Sequence, residues 1–497
     1  MKRIGLFING QSVPSETGKY FQVLNPATKE VVAEVAEGNE DDVNKAVSAA
    51  AAAFNQTEWA VNKDLRYRVL NRLAAILRES LPELVELESM MTGRPIREMK
   101  AQLSRLPEWY EYFASVAKTL EDAVPPFGGE FVNYTNRIPL GVVALVTPWN
   151  HPLLILTKKL APALAAGNAV VVKPSENTPV TTYFLAELAQ EAGVPAGILN
   201  VVQGYGAVVG KALTSHPSIE KVDITGGTET GRHVAAAAGY NLSKVSAELG
   251  GKASVLVLPD ANLEEAVNGS AFAAFIAAGQ TCVQGSRILV HESMYEDFID
   301  KFIAKAKKLL MGDPKKFDTD IGPVISEKQY KQILSYIQIG QEEGAVLAFG
   351  GTAPEQDELA NGYFITPAIF TQVTNSMRIA QEEIFGPVTC VMKYSSMEEL
   401  ISIANGTEMG LAMSIWTNNV RDAHWLANRL EAGIVWINDH HRIDPSSPWG
   451  GFKNSGIGLE NSIQCYKDYT KTRNVIVNIS RQHFDWFDGT TQEKRYS

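Results

Sequence analysis

An α/β fold with two doubly wound domains is what this 497-residue chain predicts. The first observation is a set of near-continuous apolar runs, Val142–Val146, Ala169–Lys173, Leu199–Val202 and Lys221–Thr225, separated by helical stretches. Strands with so few polar residues are covered on both faces, which argues for a parallel sheet between layers of helices. The second is that the alternation restarts near Gly251, with Ala253–Leu258, Arg287–Val290 and Val388–Met392 as strands. The third is length, which suits two to three domains.

Taken in order, residues 5–36 read as short strands, Leu6–Gly10 and Phe21–Pro26, with Asn9-Gly10 as the turn signal. Residues 41–117 are helical in pattern, and Asp41 and Asp42 sit in a first turn, where the helix dipole favours acids. Pro125-Pro126 ends that pattern, and Glu130–Arg137 alternates like a strand. A helix ends at Gly167-Asn168 before the next buried strand. In the second half, Met294–Leu310 and Glu327–Glu343 read as helices and Asn474–Ile479 as the last strand. The tail after Ser480 is polar with scattered aromatics.

Composition narrows the function classes. Hydrophobic content of 45% and charged content of 20% suit a soluble globular enzyme. A net charge of -11, with no basic run, argues against a nucleic-acid partner. There is no signal peptide and no apolar run of about 18 residues, so no membrane partner is expected. Cys282, Cys390 and Cys465 do not make a disulfide framework, which points to the reducing cytoplasm. No His/Cys cluster has metal-ligand spacing.

Five stretches carry candidate chemistry. Cys282 follows Phe275–Thr281, a small, apolar run that suits a buried helix entering a loop, with Gly279 loosening the backbone. Its thiol is either a nucleophile for a carbonyl carbon or a buried structural cysteine. Thr225–Arg232 follows a strand and opens a helix, so its glycines let backbone N–H groups approach a pyrophosphate, or simply make a turn. Lys173-Pro174-Ser175-Glu176 ends another strand; Lys173 and Glu176 either hold a ribose or form a solvated ion pair. A carboxylate there would accept from a free 2′-OH and repel a 2′-phosphate, so NAD is preferred over NADP. Glu248 stands beside two glycines in apolar surroundings, where a raised pKa suits a general base for water. Asn150, in Thr147-Pro148-Trp149-Asn150-His151-Pro152, is held on a constrained backbone from which its amide can meet an oxyanion.

These motifs together resemble the NAD(P)-dependent aldehyde dehydrogenase family, in order and in the spacing from Glu248 to Cys282. Glu383-Ile384-Phe385-Gly386-Pro387 and Pro448-Trp449-Gly450-Gly451-Phe452-Lys453 add to the match, which runs nearly the whole chain. The resemblance implies a non-acylating enzyme. Cys282 attacks the aldehyde, Asn150 and the Cys282 N–H hold the oxyanion, hydride leaves for NAD, and Glu248 activates water to hydrolyse the thioester. Lys159 and Glu460 match proton-relay positions. Cofactor contacts are implied for Thr147, Pro148, Trp149, Lys173, Ser175, Glu176, Gly226, Gly227, Thr228, Leu249, Glu383 and Phe385. The family often has serine where Gly227 stands and arginine where Leu459 stands, departures that bear on cofactor affinity and local packing. The implied organisation is an NAD-binding domain of residues 1–120 and 141–250, a catalytic domain of 251–469, and an oligomerisation element of 121–140 and 470–497. A homodimer or homotetramer follows from such an element.

The family's substrate wall, carried over by register, includes Arg105, Trp109, His151, Leu154, Lys158, Ile276, Thr281, Val283, His441, Ile443 and Trp449. Many relatives have apolar or aromatic residues at 105 and 158, whereas this chain has two cations, with Arg442 close by. Relatives that act on muconate semialdehydes place an arginine in the register of Arg105 to grip a carboxylate. An acidic semialdehyde is therefore the expected substrate, and cationic betaine aldehyde is disfavoured. The alternatives are a broad-range enzyme for neutral aldehydes, with Arg105 and Lys158 paired to rim acids such as Glu108 and Glu111, and a non-catalytic structural homologue. Transfer of the acyl group to coenzyme A is argued against by Glu248.

Overall fold

The computed structural model describes residues 2–481 and Phe487. Its first sheet has a parallel core in the order Lys244–Glu248, Lys221–Thr225, Val142–Val146, Ala169–Lys173, Leu199–Val201. One edge is closed by the antiparallel hairpin Leu6–Ile8 and Gln11–Val13, the other by the short strand Gly456–Ile457. The predicted apolar runs are buried throughout, Val170, Val171 and Val172 completely so.

The helix Pro152–Ala165 is buried on every side. Proline at its first position costs no hydrogen bond there, so it marks a sharp start after the Asn150 loop. Complete burial also forces Lys158 and Lys159 into the interior, where each needs an anion.

The second sheet runs Val346–Phe349, Ala368–Thr371, Val388–Tyr394, Arg287–His291, Ser254–Val257, Ala412–Trp416, Ile434–Ile437, parallel except for its first pair. Only residues 249–253 separate its strand Ser254–Val257 from Glu248 at the end of the first sheet. The chain later returns, and Gly456 pairs with Glu248. Glu248 thus lies where the two sheets meet.

The predicted helical stretch divides into Glu40–Gln56, Lys63–Thr92, Ile96–Leu103 and Leu106–Thr119. Its start is set by Asn39: the Asn39 side chain accepts from the Asp42 N–H while the Asp42 carboxylate accepts from the Asn39 N–H. Phe131–Pro139 and Thr470–Asn478 pair antiparallel along nine residues and form a separate two-stranded sheet, longer than the alternation in either segment suggests. Residues 482–486 and 488–497 of the expected oligomerisation element lie outside the described residues. Among the described residues no helix is long and apolar enough to cross a membrane, and no group of three His, Cys, Asp or Glu side chains is placed to hold a metal.

Candidate active site

The cysteine loop is built by strain. The helix Leu263–Phe275 is followed by a turn in which Ala277 (φ 55°), Ala278 (φ 52°) and Gly279 (φ 71°) are all left-handed. For the two alanines this costs roughly 1–2 kcal/mol each, a kind of strain that collects at functional sites. At Gly279 a Cβ would also stand 2.1 Å from the Gly386 oxygen. Side chains pin the turn: Gln280 Nε2 donates to the Ala277 oxygen, the Ile325 N–H donates to Gln280 Oε1, and Gln284 Nε2 reaches the Gly386 oxygen at 2.6 Å. Asn150 Nδ2 donates to the Gln280 oxygen at 2.9 Å, so its amide is held against the cysteine loop.

Cys282 is half-buried and packs against Val283, Leu411, Trp436 and Trp449. Burial pushes its thiol up to about 12, and the charge of Lys158 is the main influence in the other direction. Neither carboxylate oxygen of Glu248 has a partner among the described residues. Burial, and then the negative charge of Glu460, hold Glu248 well above the usual carboxylate range.

Glu460 has the opposite surroundings. Its Oε1 accepts from Lys159 at 2.6 Å and its Oε2 pairs with Lys158. These charges outweigh burial and hold it at about 2. Lys159 also pairs with Asp223, whose other oxygen accepts from the Tyr469 hydroxyl at 2.6 Å. Two buried lysines and two buried carboxylates therefore neutralise one another beside Glu248. Lys158 was expected on the substrate wall; it is 4% exposed and pairs inward, with its ammonium 4.4 Å from the Trp449 ring centre. Burying the helix strips Lys158 and Lys159 of hydration, and pairing with the Glu460 carboxylate offsets that cost.

A cavity of about 310 Å³ lies on one side of the thiol. Cys282, Asn150, Thr147, Pro148, Trp149, Lys173, Ser175, Glu176, Gly226, Gly227, Leu249, Glu383 and Phe385 all line it. Lys173 Nζ is 3.2 Å from Glu176 Oε2, at the carboxyl end of its strand. Gly227 precedes the helix Thr228–Tyr240, and a Cβ there would meet nothing within 4 Å, so its backbone is open to a ligand. Thr228 does not line the cavity, but its buried hydroxyl has no partner among the described residues. Glu383 Oε1 accepts from the Gly251 N–H at 2.9 Å, and burial pushes this carboxyl up to about 7. Phe385 is left-handed (φ 57°) and stands edge-on to Trp149, with ring centres 5.2 Å apart.

A second chamber, of about 360 Å³, is lined by Arg105, Trp109, Leu154, Ile276, His441 and Ile443 from the expected substrate wall. Thr281, Val283, Trp449 and His151, also expected on that wall, are buried and do not line it. Arg105 lies 2.7 Å from Glu108 and 3.6 Å from Asp444, and it donates to the Ile443 oxygen. Trp109 is fully buried, and its indole N–H donates to Asn461. Burial pushes His441 down to about 3 and His440 to about 4, so both imidazoles are neutral.

Sequence reading missed Arg94, Glu98, Gln102 and His440 on this chamber, Gln329 and Thr230 on the other cavity, and the Asp223–Tyr469 pair. Two signals were present. Asp223 is a charge inside an apolar strand, which demands a buried partner, and Arg94 stands between Gly93 and Pro95, where a loop must place it.

The sequence pattern of the aldehyde dehydrogenase family matches residues 12–475. A betaine aldehyde dehydrogenase of Bacillus subtilis is 40% identical over 97% of this chain and 99% of its own. An aldehyde dehydrogenase 1 of Tanacetum cinerariifolium is 42% identical over 95% of each chain. Among solved structures, an NAD⁺ complex of an aldehyde dehydrogenase from Bacillus cereus superposes with a TM-score of 0.94 at 39% identity, covering 96% of this chain and 97% of that one.

Proposed function

The chain belongs to the aldehyde dehydrogenase family and is an NAD-dependent enzyme of it; on that premise we propose that its substrate is an aldehyde carrying a carboxylate or another acidic group. The observation that carries this reading is the charge of the outer chamber, lined by Arg94, Arg105 and Arg442 against Glu98 and Asp439. Arginine matches a carboxylate with two parallel donors, which fixes orientation as an apolar tunnel cannot. The same charges oppose a cationic aldehyde.

The residues around the thiol's cavity fit NAD. Glu176 and Glu383 offer carboxylates to ribose hydroxyls, Lys173 stands beside the first of these, and Gly226-Gly227 opens a helix N-terminus to a pyrophosphate. When bound, the cofactor supplies the hydride acceptor. The chain supplies the rest. Cys282 adds to the aldehyde carbon, and the Asn150 amide, already beside the cysteine loop, donates to the developing oxyanion. Loss of hydride leaves an acyl group on Cys282. Glu248, once ionised, takes a proton from water, which then attacks that thioester. Glu460, Lys159 and Lys158 provide a fixed set of charges behind Glu248, through which the proton is passed on.

A broad-range enzyme for neutral aldehydes is the second reading. It is favoured by one observation: every cation of the chamber already holds an acid. Arg94 lies 3.1 Å from Glu98, Arg105 pairs with Glu108, and Arg442 lies 2.9 Å from Asp439. Homodimers or homotetramers in a reducing cytoplasm complete the proposal, supported by a two-stranded sheet that stands apart from the two large sheets and by three free cysteines. NADH formation over matched panels of neutral and carboxylated aldehydes, with NAD and NADP side by side, tests both readings. Higher kcat/KM on semialdehyde acids than on neutral aldehydes of equal length supports the first; equal or lower values leave the second.

A further inference from the structure

Arg94, Glu98 and Gln102 are spaced four residues apart, on the approach to the helix Ile96–Leu103 and along it. That spacing stacks side chains on one face. Arg94 and Glu98 form an ion pair whose side chains are 4% and 8% exposed. A pair that deep must have its remaining donors and acceptors satisfied as well. The groups that satisfy this one lie on two other segments.

Every nitrogen of the guanidinium is engaged. Nε and Nη2 both lie 3.1 Å from Glu98 Oε2. Nη1 donates to Gln102 Oε1 at 3.1 Å and to the Asn150 carbonyl oxygen at 3.4 Å, and it lies 2.6 Å from His151 Nδ1. Just beyond, the Leu153 N–H donates to Glu88 Oε1 at 2.8 Å. Buried charges at 88 and 94 thus hold the backbone of residues 150–153, from which the Asn150 amide projects. That amide has two N–H donors. One meets the Gln280 oxygen, which leaves the second for an oxyanion.

The other oxygen of Glu98 reaches the cysteine loop. The Ala277 N–H donates to Glu98 Oε1 at 3.2 Å. Ala277 is the first of the left-handed residues that lead from the helix Leu263–Phe275 toward Cys282. A strained turn persists only where its surroundings hold it. The path Ala277–Glu98–Arg94–Asn150 therefore joins the loop of the nucleophile to the loop of the oxyanion donor. The two side chains that make it belong to neither loop.

We infer that the buried Arg94–Glu98 pair is a strut that sets the spacing between the Cys282 loop and the Asn150 amide, which makes both members positioning residues for the first chemical step. The inference rests on the roles proposed above for Cys282 and Asn150. It is independent of the charge of the aldehyde.

Single-turnover NADH formation from propanal tests it, because propanal carries no anion for an arginine to grip. The paired variant Arg94→Met/Glu98→Met leaves neither buried charge without its partner, so the fold should hold. Its rate should fall roughly 100-fold, the cost of misplacing reacting groups by about 1 Å. In an Asn150→Ala background the same two changes should cost less than roughly 10-fold, because the amide whose aim they spoil is gone. Arg94→Lys, which keeps a cation beside Glu98, should retain part of the lost rate. A wild-type rate in the paired variant, or an equal fold loss in both backgrounds, overturns the inference and leaves the pair a packing element. Where the paired variant does not fold, Glu98→Gln answers the same question. It keeps an acceptor for Ala277 and weakens the tie to Arg94, so its loss should again be confined to the background that has Asn150. An Asn150→Ala enzyme as fast as wild type would sink the oxyanion role and the strut with it, a result distinct from equal losses in the two backgrounds.

Discussion

A Cβ on Gly251 would stand 2.2 Å from the carbonyl oxygen of Cys282. The link between the two sheets and the loop that carries the nucleophile are thus in backbone contact, with no side chain to give way. The Gly251 N–H also donates to Glu383 on the cofactor side. One glycine therefore sets the spacing of nucleophile and cofactor carboxylate. Gly251→Ala should push Cys282 out of line and cost roughly 100-fold or more in kcat, since misplacement by about 1 Å has that effect. Single-turnover NADH formation and the rate of Cys282 alkylation measure it. An unchanged burst would show that the loop has room to move.

Lys158 shares the Glu460 carboxylate with Lys159. Its charge favours the ionised forms of both Cys282 and Glu248. Lys158→Met removes that charge, so both groups should hold their protons to higher pH. The activity that needs them ionised should fall at neutral pH and recover as pH rises. An acid limb of the kcat/KM profile moved up by roughly one pH unit is the expected outcome. A lower plateau with an unmoved limb would make Lys158 a packing residue against Trp449.

Glu460→Gln should do the reverse. The Glu460 charge is the largest influence after burial in raising the Glu248 pKa. Removing it also leaves Lys158 and Lys159 with excess positive charge. Both effects lower the Glu248 pKa, so the acid limb should move down even if the plateau drops. The same change bears on stability. Glu460 has its folded pKa depressed to about 2, from an ordinary value of 4.5. Its contribution is present above the ordinary value and is lost as pH falls between the two. The Tm gap between wild type and Glu460→Gln should therefore be largest near neutral pH and narrow below pH 4.5.

The sheets were legible because burial on both faces writes itself as apolar runs, and Val142–Val146 and Ala169–Lys173 were read to the residue. Cys282, Glu248 and Asn150 stood out through the set of motifs around them, and Cys282 and Asn150 do line one cavity. The outer chamber was less so. Whether Arg105 faces a substrate or Glu108 depends on contacts such as Asp444, 339 positions along the chain, and one sequence carries no periodic trace of such a pairing. The contacts of His151 Nδ1 with Arg94 and Gln102 were hidden for the same reason, since those residues lie on other segments.

The separate two-stranded sheet yields the last prediction. Among the described residues, Phe131–Pro139 and Thr470–Asn478 form a strand ladder only with each other; residues 122–123 cover part of one outer edge, where the Thr135 N–H donates to the Ala123 oxygen and the Arg137 N–H to Asp122. Val132, Tyr134, Ile476 and Val477 are exposed on the sheet. A two-stranded ribbon is marginal by itself, and monomeric proteins blunt such edges with charge or cover. Here apolar residues occupy exposed positions at one end, which fits coverage by a second copy of the chain. Val132→Lys combined with Ile476→Lys should shift the enzyme toward monomer in sedimentation or light scattering. The active site lies elsewhere, so activity per subunit should survive wherever the monomer stays folded. An unchanged mass would move the subunit contact to another surface.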